Sequence, residues 1–285
     1  MQNKTVVVTG ANSGIGKFSA LELAKMGARV VMVCRNAAKA EAARQEIVAK
    51  VPQAQISIFL ADFASQKQIH RVAQEILQQH PVIDVLLNNA GFIAGNTRSL
   101  SEDGYETTFA VNHLGYFTLT LLLLPALKAA PAARIVNVSS EAHRFVKELD
   151  WDNLQLEKGY SSLKAYALSK LHNILFTKAL AKRLQGTSIT TNCLHPGVVA
   201  TNFGQSGSLF LKALVTIARP FFIGSSKGAE TSIFLASSPE VAKVTGEYFD
   251  KKAIRKVNYH ARSEENAEKL WQLSLQMTQL PEISL

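Results

Sequence analysis

Three pairs of residues have the spacing Tyr-x-x-x-Lys, and a phenol beside an ammonium can perform acid–base chemistry. The pairs are Tyr160/Lys164, Tyr166/Lys170 and Tyr248/Lys252. On a helix, residues four positions apart lie on one face. A neighbouring cation favours the phenolate and lowers the phenol pKa from its usual value near ~10. Such a pair can move a proton near neutral pH, but the elements around each pair must decide among the three.

Only one of these pairs fits inside a predicted helix. Tyr248 lies in a predicted strand, where four residues span ~13 Å, too far for contact with Lys252. Tyr160 precedes two serines that are typical of a helix N-cap and therefore lies before the helix. Tyr166 and Lys170 fall within that helix, ahead of an apolar stripe. The sequence therefore selects Tyr166 as the acid–base residue.

A glycine-rich turn follows the first predicted strand. Thr9 to Lys17 reads TGANSGIGK, with glycines at 10, 14 and 16. Glycines permit a tight turn and let the backbone approach a pyrophosphate, which then sits at a helix N-terminus. A strand before the turn and an amphipathic helix after it favour a dinucleotide site over a simple turn.

The second predicted strand ends in Cys34 and Arg35. An acidic residue at the Cys34 position would bind the ribose 2′-OH of NAD, whereas an Arg accommodates the 2′-phosphate of NADP. Asn12 and Lys17 lie close enough to assist. The sequence predicts NADP(H); the alternative is a solvated Arg in a loop.

Two further strand ends carry candidate ligands. Asp62 follows the third strand, where it can cap the next helix or bind the adenine amino group. The sequence NNAG at 88–91 ends the fourth strand with small residues, as close approach to a ribose requires, although the tetrapeptide would also suit a turn.

Short β-branched runs alternate with longer helical patterns, which predicts an α/β fold with a doubly wound parallel sheet of the Rossmann type. The predicted strands are Thr5–Thr9, Arg29–Cys34, Ile56–Ala61, Val85–Asn88, Arg134–Ser139, Ser188–Leu194 and Glu247–Phe249. The predicted helices cover 15–26, 37–50, 66–79, 102–129, 162–185, 226–236 and 264–279. No linker interrupts the chain, so we expect a single domain over 1–285.

Composition limits the other function classes. The net charge is +9, but the Lys and Arg residues look scattered along the sequence, which predicts no nucleic-acid partner. Two cysteines and seven histidines show no disulfide or metal-site spacing, and His113 and His172 are expected to serve packing or hydrogen bonding. The apolar stretch 114–127 is shorter than the ~20 residues of a membrane span. With no signal peptide evident, a cytoplasmic protein is predicted.

The motifs together resemble the short-chain dehydrogenase/reductase superfamily over nearly the whole chain. They are TGxxxGxG, NNAG, Asn112 in VNH, Ser139-Ser140, YxxxK and HPG at 195–197, in that order. Within the superfamily, CRN at 34–36, HPGVVAT at 195–201 and KLW at 269–271 resemble the retinol-dehydrogenase-like group. The light-dependent protochlorophyllide reductases share several of these features.

The resemblance implies a catalytic set of Asn112, Ser140, Tyr166 and Lys170. Tyr166 would protonate the carbonyl oxygen, and Lys170 would lower its pKa and hold the nicotinamide ribose. Ser140 would hydrogen-bond the substrate oxygen, with Ser139 as the alternative on the opposite face of the strand. Asn112 would anchor a water that relays protons to Lys170.

The resemblance also implies which residues hold NADP(H), with Thr201 fixing the nicotinamide carboxamide and no metal involved. The set is Gly10, Asn12, Ser13, Gly14, Ile15, Gly16, Arg35, Asp62, Phe63, Asn89, Ala90, Gly91, Tyr166, Lys170, Pro196, Gly197, Val199 and Thr201.

The segment at about 202–225 lies where this superfamily has its substrate lid. Its apolar part either covers a hydrophobic carbonyl substrate, with peripheral contact to a membrane surface, or is an ordinary amphipathic helix. A retinal-like aldehyde fits the resemblance. Alternatives are light-driven reduction of a chlorophyll precursor and a non-catalytic NADP(H)-binding regulatory protein. The superfamily commonly forms homodimers or homotetramers through the helices near 102–129 and 162–185.

Overall fold

The computed structural model describes residues 1–197 and 224–283. Within these residues one sheet contains β1 (Thr5–Thr9), β2 (Arg29–Cys34), β3 (Gln55–Leu60), β4 (Val85–Asn88), β5 (Arg134–Val138), β6 (Thr190–His195), β7 (Tyr248–Asp250) and β8 (Ala253–Ile254). The order is β3-β2-β1-β4-β5-β6-β7-β8. Every pairing is parallel except that of β7 with β8. This is the predicted doubly wound sheet.

Helices cover both faces of this sheet. They are α1 (Gly14–Lys25), α2 (Ala37–Lys50), α3 (Gln66–Gln79), α4 (Gly115–Lys128), α5 (Ser162–Arg183), α6 (Ser225–Ser237) and α7 (Glu264–Thr278). Burial on both faces is evident within β1, where Val7 belongs to one buried apolar cluster while Val6 and Val8 belong to the other. A strand that is buried on both faces reads as a continuous apolar run, which explains why the sequence pattern locates these strands well.

The site follows from the strand order. β1 pairs with β2 on one side and with β4 on the other, so the chain reverses its winding direction at β1. The carboxyl ends of β1, β4 and β5 lie along one edge of the sheet, where open α/β folds bind their ligands. The glycine turn, the NNAG sequence and the serine pair all follow these three strands.

Strand β8 is absent from the prediction. It has two residues, both exposed, and forms a hairpin with β7 through Lys251 and Lys252, which have φ of 50° and 64°. Neither an apolar pattern nor a turn residue such as glycine marks it, so the sequence carries no signal for it.

The helix predicted over 102–129 begins later than expected. Glu106 is buried, and its carboxylate accepts hydrogen bonds from the backbone N–H groups of Thr108 and Phe109, which caps a helical turn at Thr107–Phe109. A π-helical turn, Ala110–Leu114, then leads into α4. The stretch Thr107–Lys128 is long and apolar enough to cross a membrane, but 78% of its apolar window is buried in the fold. Most of this helical stretch is therefore covered by the rest of the fold.

The C-terminal helix α7 packs against α5. Trp271 is buried against Phe117 and Phe176, with ring centroids 4.9 and 6.1 Å away. The Arg183 guanidinium lies 4.1 Å from the indole and pairs with two carboxylates on or beyond α7, those of Glu268 and Glu282. Association of copies through the helices near 102–129 and 162–185 stays a prediction.

Candidate active site

The selected pair lies on α5 as predicted. Ser161 caps this helix by accepting a hydrogen bond from the Lys164 N–H, so Tyr160 lies outside it and donates instead to the Gly95 carbonyl at 3.3 Å. Lys170 Nζ lies 5.6 Å from the centroid of the Tyr166 ring. The two side chains share one face of the helix and reach the same space.

The third Tyr-x-x-x-Lys pair has its members turned to different partners. The Tyr248 hydroxyl donates to Glu141 at 2.8 Å, and Lys252 forms an ion pair with Glu230 at 3.2 Å. Strand geometry separates the two side chains as expected. Tyr166 and Lys170 therefore form the pair that can act together.

Lys170 is almost completely buried beneath the strand ends. Its Nζ donates a hydrogen bond to the Val138 carbonyl at 3.0 Å, and it lies 5.9 Å from the centroid of the Tyr116 ring. Burial disfavours the charged ammonium and lowers the pKa of Lys170 to about 7. The side chain therefore changes its charge within the neutral pH range.

The pKa of Tyr166 moves in the direction opposite to the one expected. Burial raises the pKa of Tyr166 to about 12, and a hydrogen bond with Ser140 offsets part of that rise. Lys170 cannot reverse the effect in this state, because its Nζ lies beside the ring and is itself only partly protonated near neutral pH. Tyr166 is thus a neutral phenol, which is the form that can donate a proton.

The two serines after β5 have different environments. The Ser139 hydroxyl is buried and donates to the Lys170 carbonyl at 2.7 Å. The Ser140 hydroxyl is hydrogen-bonded to Tyr166 and accepts from the Ala142 N–H at 3.2 Å. Alternation along the strand end therefore places Ser140 on the side of Tyr166, as predicted.

His143 is a site residue that the sequence reasoning missed. Its Nδ1 lies 2.7 Å from the carbonyl oxygen of Ser140, and its Nε2 accepts from the Asn258 N–H at 3.3 Å. A carbonyl can only accept and a backbone N–H can only donate, so the ring is the neutral tautomer with the proton on Nδ1. Burial lowers the pKa of His143 and favours that neutral form. The only sequence signal was a His three residues after a candidate serine.

Asn112 is buried in the π-helical turn, with its side chain fully engaged. Its Nδ2 donates to the Phe92 carbonyl and the Ser169 hydroxyl at 2.9 and 3.0 Å, and its Oδ1 accepts from the Phe92 N–H at 2.8 Å. π-helical turns often occur at functional sites. The side chain fixes the loop after Gly91 against α5, so a bound water at Asn112 would need its backbone carbonyl.

The glycine turn is built for close backbone approach. A Cβ on Gly16 would lie 2.4 Å from the Gly10 carbonyl oxygen and 2.5 Å from Asn89 Nδ2, distances that no side chain tolerates. The Asn89 Nδ2 donates to the Thr9 carbonyl at 2.8 Å, and the Thr9 hydroxyl accepts from the N–H groups of Asn89 and Ala90. This network joins the ends of β1 and β4.

The first turn of α1 offers free donors. Gly10 and Gly14 have φ of 65° and 54°, the left-handed region that favours glycine. Ser13 occupies the N-cap position without a side-chain hydrogen bond to the helix, so its side chain does not satisfy the first N–H groups of α1. Asn12 and Ile15 lie in the same turn and are partly exposed. The turn therefore fits a pyrophosphate at a helix N-terminus.

The end of β2 carries a neutral thiol and an exposed guanidinium. The buried Cys34 thiol is hydrogen-bonded to the backbone of Ala11 and Asn12, and burial raises its pKa to about 11. It is therefore neutral and does not repel an anion. The Arg35 guanidinium is exposed, with its Nη1 3.6 Å from Oδ2 of Asp62.

The structure shows the contacts of three more side chains near this end of the sheet, and it excludes the helix-capping alternative for Asp62. Binding of the adenine amino group by Asp62 and assistance from Lys17 stay predictions. Lys17 pairs with Glu46 on α2 at 2.7 Å, so its ammonium is already engaged. Asp62 does not cap α3; Ser65 does, by accepting from the Gln68 N–H. Phe63 is buried against α4, where a Cβ on Gly115 would come within 2.6 Å of its ring, so only the backbone of Phe63 remains for a cofactor.

The remaining predicted ligands lie at the ends of β4 and β6. Gly91 borders the site, because a Cβ built there would lie 3.7 Å from Lys170 Nζ. Pro196 and Gly197 follow β6, and Gly197 has φ of 88°. Val199, Thr201 and nearly all of the predicted lid at 202–225 lie outside the described residues.

The sequence profile described as "short chain dehydrogenase" matches residues 4–209. The chain belongs to the short-chain dehydrogenase family. It is 42% identical to human retinol dehydrogenase 14, over 96% of this chain and 86% of that protein. It is also 42% identical to mouse retinol dehydrogenase 12, with the same two coverages. It is 40% identical to human retinol dehydrogenase 13, over 97% of this chain and 85% of that protein.

Solved structures agree with this placement. An uncharacterised protein from Mycobacterium paratuberculosis superposes with a TM-score of 0.81 at 32% identity, covering all of this chain and 96% of that one. A short-chain dehydrogenase from Shigella flexneri complexed with NADP gives 0.70 at 25% identity, covering 89% and 98%. The chain is therefore an oxidoreductase of the retinol-dehydrogenase-like group, and the fold carries a nicotinamide cofactor site.

Proposed function

We propose that this chain is an NADPH-dependent carbonyl reductase that acts on a hydrophobic aldehyde of the retinal type. The observation that carries the proposal is the convergence of Ser140, Tyr166 and Lys170 at the strand ends, where Ser140 is bonded to Tyr166 and Lys170 lies beside it. A neutral phenol and a hydroxyl are the groups that a carbonyl oxygen needs as negative charge develops on it.

NADPH supplies the hydride when it is bound. Ser140 and Tyr166 both donate hydrogen bonds to the substrate oxygen and so orient the carbonyl. Tyr166 then transfers its proton to that oxygen. Burial raises the pKa of Tyr166 to about 12, so the phenol is fully protonated before reaction. The Tyr166 hydroxyl can therefore donate its proton at neutral pH when a carbonyl is reduced.

Lys170 would stabilise the phenolate that remains. The pKa of Lys170 is about 7 while the neighbouring phenol is neutral. A phenolate formed next to Lys170 would raise this pKa, because a nearby anion favours the charged ammonium. The expectation that Lys170 lowers the pKa of Tyr166 thus applies to the reacting state. Asn112, which is bonded to Ser169 one residue before Lys170, would hold this part of α5 in place.

Cofactor choice rests on the end of β2. Arg35 is exposed at the end of β2, the part of the fold in which an Arg accommodates the 2′-phosphate of NADP. A neutral Cys34 replaces the acid that would favour NAD. Two structural relatives carry NADP or NADPH in their described complexes, the Shigella flexneri protein and one from Escherichia coli. These observations favour NADP(H).

The substrate class follows from the relatives. Several of them are named retinol dehydrogenases, and the apolar segment that would cover the site has the composition for a lipophilic substrate. Other lipophilic aldehydes and ketones share that chemistry, so the test uses a panel.

The experiment is a dark NADPH-oxidation assay with all-trans-retinal, a long-chain aliphatic aldehyde and a small polar aldehyde. We expect turnover with the first two, weak turnover with the third, and much less activity when NADH replaces NADPH. Turnover only in light would favour the chlorophyll-precursor reductase. NADPH binding without turnover on any carbonyl would favour the regulatory alternative.

A further inference from the structure

Two short segments without any acidic residue carry much of the positive charge. Residues 144–147 and 251–262 contain seven of the 31 Lys and Arg side chains, namely Arg144, Lys147, Lys251, Lys252, Arg255, Lys256 and Arg262. All seven are exposed. The chain has a net charge of +9, so this local excess matches most of it. These seven of the 31 cations therefore come from two segments that are about 100 residues apart in the sequence.

Hydrogen bonds join the two segments into one surface, here called the basic–aromatic surface. The bonds run from Arg144 to the Lys256 carbonyl (2.6 Å), from Asn258 Nδ2 to the carbonyls of Val146 (2.8 Å) and His143 (3.1 Å), and between His260 Nε2 and the Lys147 carbonyl (3.1 Å). Because the backbone itself is fixed by these bonds, the side chains project from a defined platform.

Most of this charge is not neutralised by the protein. Arg144 pairs with Glu141 and Lys252 with Glu230. The other five cations have no carboxylate within ion-pair distance in residues 1–197 and 224–283. Acidic residues flank the two segments at Glu141, Glu148, Asp250 and Glu264, but none of them forms an ion pair with these five cations among the described residues. The surface therefore favours an anionic partner.

Large apolar side chains stand among these cations. Phe145 is 66% exposed, Tyr259 is 79% exposed and Ile254 is 53% exposed. Phe145 lies between the joined residues Arg144 and Val146, and Tyr259 lies between Asn258 and His260. Phenyl and aliphatic side chains next to ammonium groups match the boundary between lipid headgroups and acyl chains.

We propose that the basic–aromatic surface docks this chain on an anionic lipid bilayer. The cations would contact the headgroups, and Phe145, Tyr259 and Ile254 would enter the interface. A nucleic acid would use the cations but has little use for an exposed Phe and Ile beside them. Charge and apolar exposure together therefore favour a membrane.

The surface borders the candidate active site. Ser140 caps the short helix Glu141–Phe145, so Phe145 lies at the other end of the turn that begins at the site. His143 in that turn contacts both Ser140 and Asn258. If the proposed function holds, docking brings the Ser140 end of the site close to a bilayer in which a lipophilic aldehyde dissolves.

Vesicle co-sedimentation tests the docking without any use of catalysis. The full chain is mixed with vesicles of phosphatidylcholine alone, or of phosphatidylcholine with phosphatidylserine, at low and physiological salt. Three variants accompany it: Lys147→Gln/Arg255→Gln/Lys256→Gln, Phe145→Ala/Tyr259→Ala, and a charge-matched control. The control, Lys39→Gln/Lys50→Gln/Lys67→Gln, removes three exposed lysines from α2 and α3.

We expect binding to the phosphatidylserine vesicles that weakens with salt and is absent with phosphatidylcholine alone. The triple variant in the surface should bind about 100-fold more weakly, since each cation near an anionic bilayer contributes about 1 kcal/mol. The aromatic variant should lose binding at physiological salt, and the control should retain it. NADPH oxidation in detergent solution should be the same for all four proteins.

Three results would overturn the proposal. The first is equal loss in the control and surface triple variants, which would mean that only total charge matters. The second is tighter binding to an oligonucleotide than to the vesicles, again lost in the surface triple variant. The third is concentration-dependent self-association that the aromatic variant abolishes, which would assign the surface to a second copy of the chain.

Discussion

The Nδ1 of His143 lies 2.7 Å from the carbonyl oxygen of Ser140. The same ring accepts a hydrogen bond from the Asn258 backbone on its other nitrogen, so it links the residue that faces Tyr166 to the segment beyond β8. Ser140 is in this way positioned from two sides, by Tyr166 and by a buried neutral imidazole.

The variants His143→Asn and His143→Gln test whether the hydrogen bond from His143 Nδ1 to the Ser140 carbonyl supports catalysis. Asn keeps a donor near the position of Nδ1, whereas Gln keeps a polar group near the position of Nε2. We expect the Asn variant to retain most of kcat and the Gln variant to lose about tenfold, since the Ser140 carbonyl is then left unpaired. Steady-state kinetics with retinal and an NADPH titration check this. Equal activity in both variants, with equal melting temperatures, would show that His143 does not position Ser140.

Cys34 and Arg35 are predicted to set the choice of nucleotide. Arg35→Gln should weaken NADPH binding by about 10- to 100-fold, because hydrogen bonds to charged groups contribute ~1.5–3 kcal/mol, and should leave NADH binding unchanged. Cys34→Asp should weaken NADPH further and improve NADH. Fluorescence titration of both nucleotides measures the two constants, with Lys39→Gln as the exposed-cation control. A parallel loss of both nucleotides in Arg35→Gln would contradict a 2′-phosphate contact.

Burial of Lys170 should make the free energy of unfolding depend on pH. Its pKa of about 7 in the folded chain lies below the ~10.4 of an unfolded lysine. Between these values the unfolded chain binds more protons, so this group makes the folded state more stable as pH rises from about 7 toward 10. In Lys170→Met the Val138 carbonyl keeps its hydrogen bond from Asn173, so the fold should survive and that rise should be absent. Urea unfolding of both proteins at about pH 7 and about pH 9.5 decides it; parallel curves would contradict the lowered pKa.

Replacing Ser139 or Ser140 with Ala tests which of the two hydroxyls after β5 takes part in catalysis. Ser140→Ala should lower kcat by about 10²- to 10³-fold, the loss typical of one donor to a developing oxyanion. Ser139→Ala should keep kcat and lose about 1 kcal/mol of stability, because its buried bond to the Lys170 carbonyl is lost. Kinetics and chemical unfolding on both variants measure this. A reversed pattern would exchange the roles of the two serines.

The architecture could be predicted from the sequence because the central strands are buried on both faces and the glycine turn marks the start of α1. The choice of Tyr166 among three candidates also followed from local signals, since the serine before α5 and the short strand at Tyr248 act over a few residues. These features depend on neighbours in sequence, which a pattern records directly.

Other features depend on contacts between distant parts of the chain. The pairing of Lys17 with Glu46 and the contact of Phe63 with Gly115 require knowledge of which helices meet. The basic–aromatic surface exists because Asn258 is bonded to residues more than 100 positions earlier. The pKa of Tyr166 also differs from expectation because burial, which the sequence does not quantify, outweighs the neighbouring lysine.

Tyr166→Phe tests the central claim most directly. The variant should still bind NADPH, because the substitution removes one hydroxyl, which Ser140 contacts, and leaves the other expected cofactor ligands in place. In a single-turnover mixture of NADPH-loaded enzyme with retinal in the dark, the wild-type chain should oxidise NADPH, and the variant should be slower by at least about 10³-fold. Oxidation in the variant at a rate near that of the wild-type chain would contradict the account.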